Sequence, residues 1–259
     1  MLVLLVLTGC AQGISIPDQA IQGSRIPDRP LSADLMVPSG PGPFPAVILL
    51  HGCGGIGPGI WDWARRLNGW GYAALVLDSF SARDVTTVCG PDKQRLVTPQ
   101  DRAADVLSAA LYLRTLSNID GDRIAVLGQS HGGRTAAVIT ERRYQQLYPN
   151  LLKASVDYYG GCGSAQVHGT VPLLALAGEA DNWGNPAMSC RALSDGLTSA
   201  QPFEVYTYPH VVHGFDNSET RSQQTLGHPQ GYDATAAADS YARVHAFLDR
   251  WLQRAQPAS

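Results

Sequence analysis

Charge is scarce in this chain: 16% of its 259 residues are Asp, Glu, Lys or Arg, and the formal net charge is −3. With no Lys/Arg cluster there is no electrostatic footprint for nucleic acid, and no nucleic-acid partner is expected. CxxC and HxxxH spacings are absent, so neither a zinc site nor any other metal or cofactor is expected. No internal repeat, heptad pattern or low-complexity tract interrupts the chain. What is present is 44% hydrophobic residues, ample for a core, in a length that suits one large α/β domain.

The N-terminus carries a separate signal. Met1 to Leu7 is an apolar run too short to cross a bilayer, and Thr8-Gly9-Cys10 follows it. Leu7-Thr8-Gly9-Cys10 resembles the end of a bacterial lipoprotein signal, which implies lipidation at Cys10 and attachment to a membrane surface without spanning it. The basic residues that usually open such a signal are missing. The competing reading is a frayed apolar terminus on a cytoplasmic protein. On the first reading residues 1–10 are signal, 11–30 a proline-containing tether with little regular structure, and 31–259 a single domain in a periplasmic or membrane-anchored protein.

Export would make the other cysteines informative. Cys53, Cys89, Cys162 and Cys190 are even in number and allow three pairings. Cys53–Cys89 and Cys162–Cys190 are preferred, because each would join loops at one end of a sheet. The alternative is four unpaired small residues in a cytosolic enzyme.

Continuous apolar runs at Ala46–Leu50, Tyr72–Leu77, Arg123–Leu127, Ala154–Tyr159, Pro172–Ala177 and Phe203–Tyr208 read as buried strands, with an earlier one at Ser32–Val37. Helices are expected from Ile60 to Trp70, from Asp101 to Leu116, after Ser130, and from about Ala234 to Gln253. Alternating strands and helices imply a mostly parallel sheet covered on both faces, with chemistry beyond the carboxyl ends of its strands.

The chemistry starts at Gly128-Gln129-Ser130-His131-Gly132-Gly133, between a strand and a helix. Strand, G-x-S-x-G and helix form a nucleophile elbow, a turn so sharp that glycines must flank the serine. A serine hydroxyl needs a base, and the base an orienting acid. In the order Ser, Asp, His, the acid candidate is Asp181 in Gly178-Glu179-Ala180-Asp181-Asn182-Trp183, with Glu179 as competitor. The base candidate is His213 in Pro209-His210-Val211-Val212-His213-Gly214-Phe215; His210 competes, and His228 in a polar loop ranks lower. Backbone N–H groups of Cys53, in His51-Gly52-Cys53-Gly54-Gly55, and of His131 are the oxyanion-hole candidates.

The segments PFPAVILLHGCGG, GYAALVLDSF, RIAVLGQSHGG, GEADNW and YPHVVHGF, spread over about residues 40 to 252, resemble the dienelactone hydrolase family. The resemblance implies an α/β-hydrolase fold and ester hydrolysis on a small-molecule substrate. Founding members carry a cysteine nucleophile and a glutamate in the loop after the first buried strand. Here Ser130 and Gly52 stand at those places, which points away from dienelactone and towards ordinary carboxylic esters. The family's carboxylate-binding arginine is matched roughly by Arg83, whose other reading is an exposed salt bridge.

Val85–Pro99 and Asn217–Asp233 are long enough to border the crevice. Trp183, Trp61 and Phe80 are candidate apolar walls, each reading equally as core or rim, and Trp183 joins Arg83 as a substrate-binding candidate. The expected activity is a serine esterase working through an acyl-enzyme. The competing readings are a small peptidase of prolyl-oligopeptidase type and a non-catalytic surface-binding lipoprotein.

Overall fold

The computed structural model describes residues 11–17, 29–164, 167–198 and 201–252. Cys10 and the signal-like segment lie outside the described residues. Eight strands form the main sheet: β1 (Gln12–Ile16), β2 (Leu31–Met36), β3 (Phe44–Leu50), β4 (Ala73–Asp78), β5 (Ile119–Gln129), β6 (Ala154–Tyr158), β7 (Leu173–Gly178) and β8 (Phe203–Tyr208). Their order is β1-β2-β4-β3-β5-β6-β7-β8. β2 runs antiparallel to both neighbours, and every pair from β4 to β8 is parallel.

The apolar runs read as strands because they are buried on both faces. In β3, Ala46, Ile48 and Leu50 enter one core layer while Val47 and Leu49 enter the other. β5 divides in the same way, Ile124 and Val126 against Ala125 and Leu127. Each such Val, Leu or Ile contributes about 1.5–3 kcal/mol through burial. Helices α1 (Pro58–Gly69) and, at the chain's end, α6 (Ala234–Leu252) cover one face, packing Trp63 and Phe247 there. α2 (Pro99–Leu113) and α3 (His131–Val138) cover the other. α2 begins at a capping box: Thr98 Oγ1 accepts from the Asp101 N–H, and the Asp101 carboxylate accepts from the Thr98 N–H.

Several elements differ from the expectation. Residues 11–30 are not wholly a tether, because Gln12–Ile16 pairs with β2 as the sheet's edge strand and Ile16 is fully buried. The short helices α4 (Arg142–Leu147) and α5 (Pro186–Gly196) lay in stretches without strong periodicity. A two-stranded hairpin, β9 (Gln223–Thr225) with β10 (His228–Gln230), occupies the long segment after Phe215.

Candidate active site

Ser130 stands between β5 and α3 with φ 55° and ψ −115°, a conformation a non-glycine residue rarely holds. A Cβ on Gly128 would lie 2.1 Å from the Gly132 carbonyl oxygen, and one on Gly132 would lie 2.1 Å from that of Leu50. Only glycine fits either place, so the two glycines permit the turn and the turn lifts the serine out of the sheet.

The three candidates from separate loops meet here. His213 Nε2 lies 2.9 Å from Ser130 Oγ, and His213 Nδ1 lies 2.7 Å from Asp181 Oδ2. The carboxylate accepts the Nδ1 proton, leaving Nε2 to accept from the serine hydroxyl. The other Asp181 oxygen accepts from the Trp183 N–H at 2.8 Å, so one carboxylate both turns its loop and orients the ring. Both alternatives fall away from this line. Glu179 is engaged with Arg191 and with the Thr207 hydroxyl, and His210 is exposed.

The loop after β3 packs against the nucleophile, a Cβ at Gly52 falling 3.6 Å from Ser130 Cβ. His51 Nδ1–H donates to the Gly52 carbonyl at 2.8 Å. Because a trans peptide sets its N–H opposite its carbonyl, this turns the Cys53 N–H away from the His51 ring. The Cys53 carbonyl accepts from the Val88 N–H at 2.8 Å and from Thr87 Oγ1 at 3.2 Å, and a Cys53–Cys89 disulfide closes the same contact. His131 opens α3, where first-turn N–H groups have no helical acceptor. The second disulfide, Cys162–Cys190, joins the loop after β6 to α5. Asp157 converges with those two sulfurs, but both are spent in the bond, which removes them as metal ligands.

Beneath the cleft lie buried polar groups absent from the sequence reading. Arg102 of α2 is fully buried and Nη1 donates to His131 Nδ1 at 2.9 Å. Burial pulls its guanidinium down to about 10, still cationic at neutral pH. Burial first, and the Arg102 charge second, hold His51 and His131 down at about 3, so both rings are neutral. On the other side the Asp216 carboxylate accepts from Trp63 Nε1 at 2.7 Å, Gln129 Nε2 at 2.7 Å and the Tyr159 hydroxyl at 2.6 Å. Arg102 sits in an apolar helical pattern and Asp216 follows Phe215 in a loop, so no local sequence signal marks either.

The cleft has two lobes meeting at Ser130 and His213. One, of about 490 Å³, is bordered by Cys89, Gly90, Gln94, Arg134, Gly161 and Cys162. The other, of about 370 Å³, is bordered by the segment from Asn217 to Gln230. Both long loops therefore do border the crevice, and Trp183 lines both lobes. Its ring packs 5.1 Å from that of His213 and is stacked at 4.8 Å by His228, which is also 2.9 Å from Asn182 Oδ1.

Three expected contacts are corrected. Arg83 lines neither lobe: its two Nη atoms meet the Asp105 carboxylate at 2.9 and 2.8 Å. Its side chain is 10% exposed and that of Asp105 0%, so this is a buried pair rather than a substrate anchor or an exposed salt bridge. A buried carboxylate on α2 would be destabilising without a partner, and that claims the guanidinium. Trp61 packs at the margin of the α1–α6 core, and Phe80 lies under the cleft against His51 and His131. Among the described residues lining the lobes the cation is Arg134, four residues after Ser130, with Nη1 on the carbonyls of Gly161 and Cys162.

The model of the dienelactone hydrolase family matches residues 31–252. A Yersinia pestis protein named as a carboxymethylenebutenolidase is 25% identical over 229 residues, 78% of this chain and 77% of that protein. A crystal structure from Klebsiella pneumoniae, titled as a dienelactone hydrolase, superposes with TM-score 0.73 at 21% identity, covering 93% of this chain and 99% of that one. A dienelactone hydrolase-like promiscuous phosphotriesterase from metagenomic libraries gives TM-score 0.74 at 19% identity over 95% and 100%. These two show the shared α/β-hydrolase fold. Because the family match runs from β2 to the end of α6, and so takes in every cleft residue described above, the chain belongs to the dienelactone hydrolase family and is a hydrolase.

Proposed function

We propose that the protein is a serine esterase that cleaves carboxylic esters of small molecules through an acyl-enzyme. The observation that carries this reading is the unbroken line from Asp181 through His213 to Ser130, with contacts of 2.7 and 2.9 Å. Ser130 Oγ attacks the ester carbonyl as its proton passes to His213 Nε2, and Asp181 holds the imidazolium that forms. The Cys53 and His131 N–H groups receive the tetrahedral oxyanion. Collapse breaks the acyl C–O bond, and the alcohol leaves with the proton from His213. Water then attacks the acyl-serine as His213 takes its proton. The second collapse breaks the bond between the acyl carbon and Ser130 Oγ, which takes the proton back from His213 as the carboxylic acid departs.

An exported location belongs to the same proposal. Support comes from the two disulfides, which persist in oxidising compartments. Lipidation at Cys10 would add a surface anchor.

Ser130→Ala decides the catalytic reading. Fluorophosphonate labelling should vanish, and turnover of p-nitrophenyl acetate should fall by about 10³-fold or more. A variant that still labels and still turns over the ester at the wild-type rate would remove Ser130 from the nucleophile's role, and a wild-type protein that does neither would favour a non-catalytic binding protein.

A further inference from the structure

The lobe beside the His213 loop is lined in part by Trp183, Tyr159 and the Cys53–Cys89 disulfide, but the wall that the Asn217–Gln230 segment contributes carries one kind of chemistry. Asn217, Thr220, Gln223, Thr225 and Gln230 line it, and no Asp, Glu, Lys or Arg is among its described lining residues. Glu219 and Arg221 belong to the same segment yet stand outside the lining. Amide and hydroxyl side chains both donate and accept hydrogen bonds, whereas a carboxylate only accepts and an ammonium only donates. A wall made wholly of the first kind complements alcohol hydroxyls, which also do both. Among the described residues no hydrogen bond engages the side chains of Gln223, Thr225 or Gln230, so these groups are available to a ligand.

The wall is also fixed to the base. An isolated bridge pairs Gln230 with His213, and the Gly231 N–H donates to the His213 carbonyl at 3.1 Å. The Tyr232 N–H closes the segment on the Thr220 carbonyl at 3.1 Å. The hairpin β9–β10 therefore presents its polar groups at a set distance from His213 Nε2. In the proposed reaction that atom protonates the leaving oxygen. His213 borders both lobes, and the leaving alcohol is assigned to this one because its wall is tied through Gln230 and Gly231 to the residue that delivers the proton.

We infer that the alcohol half of the natural ester is a neutral, multiply hydroxylated group of the sugar or sugar-like polyol class, bound by the Asn217–Gln230 wall. The inference rests on the serine esterase reading and narrows it: water cleaves the acyl C–O bond and releases a free polyol and a carboxylic acid. Sites built to hydrogen-bond a hydroxyl discriminate strongly against analogues that lack it.

The test compares esters that share an acyl group and a primary alcohol: 6-O-acetylglucose against hexyl acetate, with p-nitrophenyl acetate and fluorophosphonate labelling as the measure of Ser130 activity. The expected ratio of kcat/KM favours the sugar ester on the order of tenfold or more. In Gln223→Leu/Thr225→Val/Gln230→Leu that ratio should fall about fivefold or more, through KM for the sugar ester, and Thr225→Ser restored in that background should recover part of it. A wild-type protein that labels and cleaves p-nitrophenyl acetate but treats the two acetates alike, or prefers hexyl acetate, overturns the polyol site alone. So does a triple variant that keeps the wild-type ratio. A wild-type protein that neither labels nor cleaves any of the three overturns the esterase reading and this one together.

Discussion

The buried polar groups under Ser130 divide into two unlike halves. On the His131 side the fully buried guanidinium of Arg102 lies against two neutral imidazoles, and the Asp105 carboxylate is matched by Arg83. On the His213 side the Asp181 and Asp216 carboxylates face His213, Tyr159, Trp63 and Gln129, with no buried Arg or Lys in that network. In the proposed reaction negative charge appears on the oxyanion near His131, and positive charge appears on the His213 ring. Asp181 thus stands against the ring on which positive charge develops, and Arg102, offset in part by Asp105 and Asp78, is the buried cation held against His131. Charges fixed in advance in this way lower a barrier without solvent reorganisation. On the proposed mechanism, then, Asp181 and Arg102 would act in the reaction, while the Arg83–Asp105 pair serves the fold.

Breaking the anionic half should have the largest effect. Asp181→Asn keeps the shape but removes the charge facing His213 and disturbs which ring nitrogen carries the proton. We expect kcat on p-nitrophenyl acetate to fall by about 10³–10⁴-fold with the Tm nearly unchanged. A loss below tenfold would mean that another group orients the ring.

The Arg83–Asp105 pair of the cationic half is predicted to serve stability only. Arg83→Met strands a buried carboxylate, and urea unfolding should show a loss of about 3–5 kcal/mol. Arg83→Met/Asp105→Leu should recover part of it, since Asp105 also offsets the buried Arg102 charge, and KM for neutral or anionic esters should stay unchanged in the folded protein. A KM rise confined to anionic esters would return Arg83 to the substrate.

The same division separates what was legible in the sequence from what was not. Ser130, Asp181 and His213 each follow a buried apolar strand, so local patterning and chain order were enough to single out three residues that lie in hydrogen-bond contact. The pairing preferred among three, on the ground of loops at one sheet end, is the one the structure holds. Arg83 was misread because its partner Asp105 lies 22 residues away, on a helix whose periodicity reads as plain core. Arg102 was hidden the same way, since the charge on a buried helix face looks like solvated surface until the helix is packed. The hairpin β9–β10 consists of three-residue polar strands that pair non-locally with the His213 loop, which no periodicity marks. Ile16 carries the edge strand almost alone, between proline-containing stretches.

Arg102→Met sharpens the comparison further. Removing the cation under the oxyanion hole should lower kcat by about 10–100-fold with little change in KM, because the charge matters only when the oxyanion forms. An equal loss with Arg102→Lys would show that the contact to His131, rather than the charge, is what counts.

The smallest expected effect is the pH dependence that the Arg102 side imposes on stability. His131 is held at about 3 in the folded chain, against about 6.5 when unfolded. Its folded value is depressed, so as pH falls below about 6.5 the unfolded chain binds a proton that the native ring refuses. The stability it contributes is therefore complete above about 6.5 and lost progressively down to about 3, some 2 kcal/mol being gone by pH 5. Asp157 works against this. Burial pushes its carboxyl up to about 7, opposed by the Gly160 N–H and the Arg134 charge, so its contribution is lost as pH rises through 7. The wild-type curve thus mixes both signs, and only a difference isolates the ring. His131→Asn removes the titrating group while keeping an acceptor for Arg102 Nη1. The change in unfolding free energy between pH 8 and pH 5 should be about 2 kcal/mol less unfavourable in this variant than in the wild type. If the two proteins lose stability in parallel, the His131 ring is protonated in the native state, and the cationic half is not the dry, neutral-imidazole environment that its contrast with the Asp181 side requires.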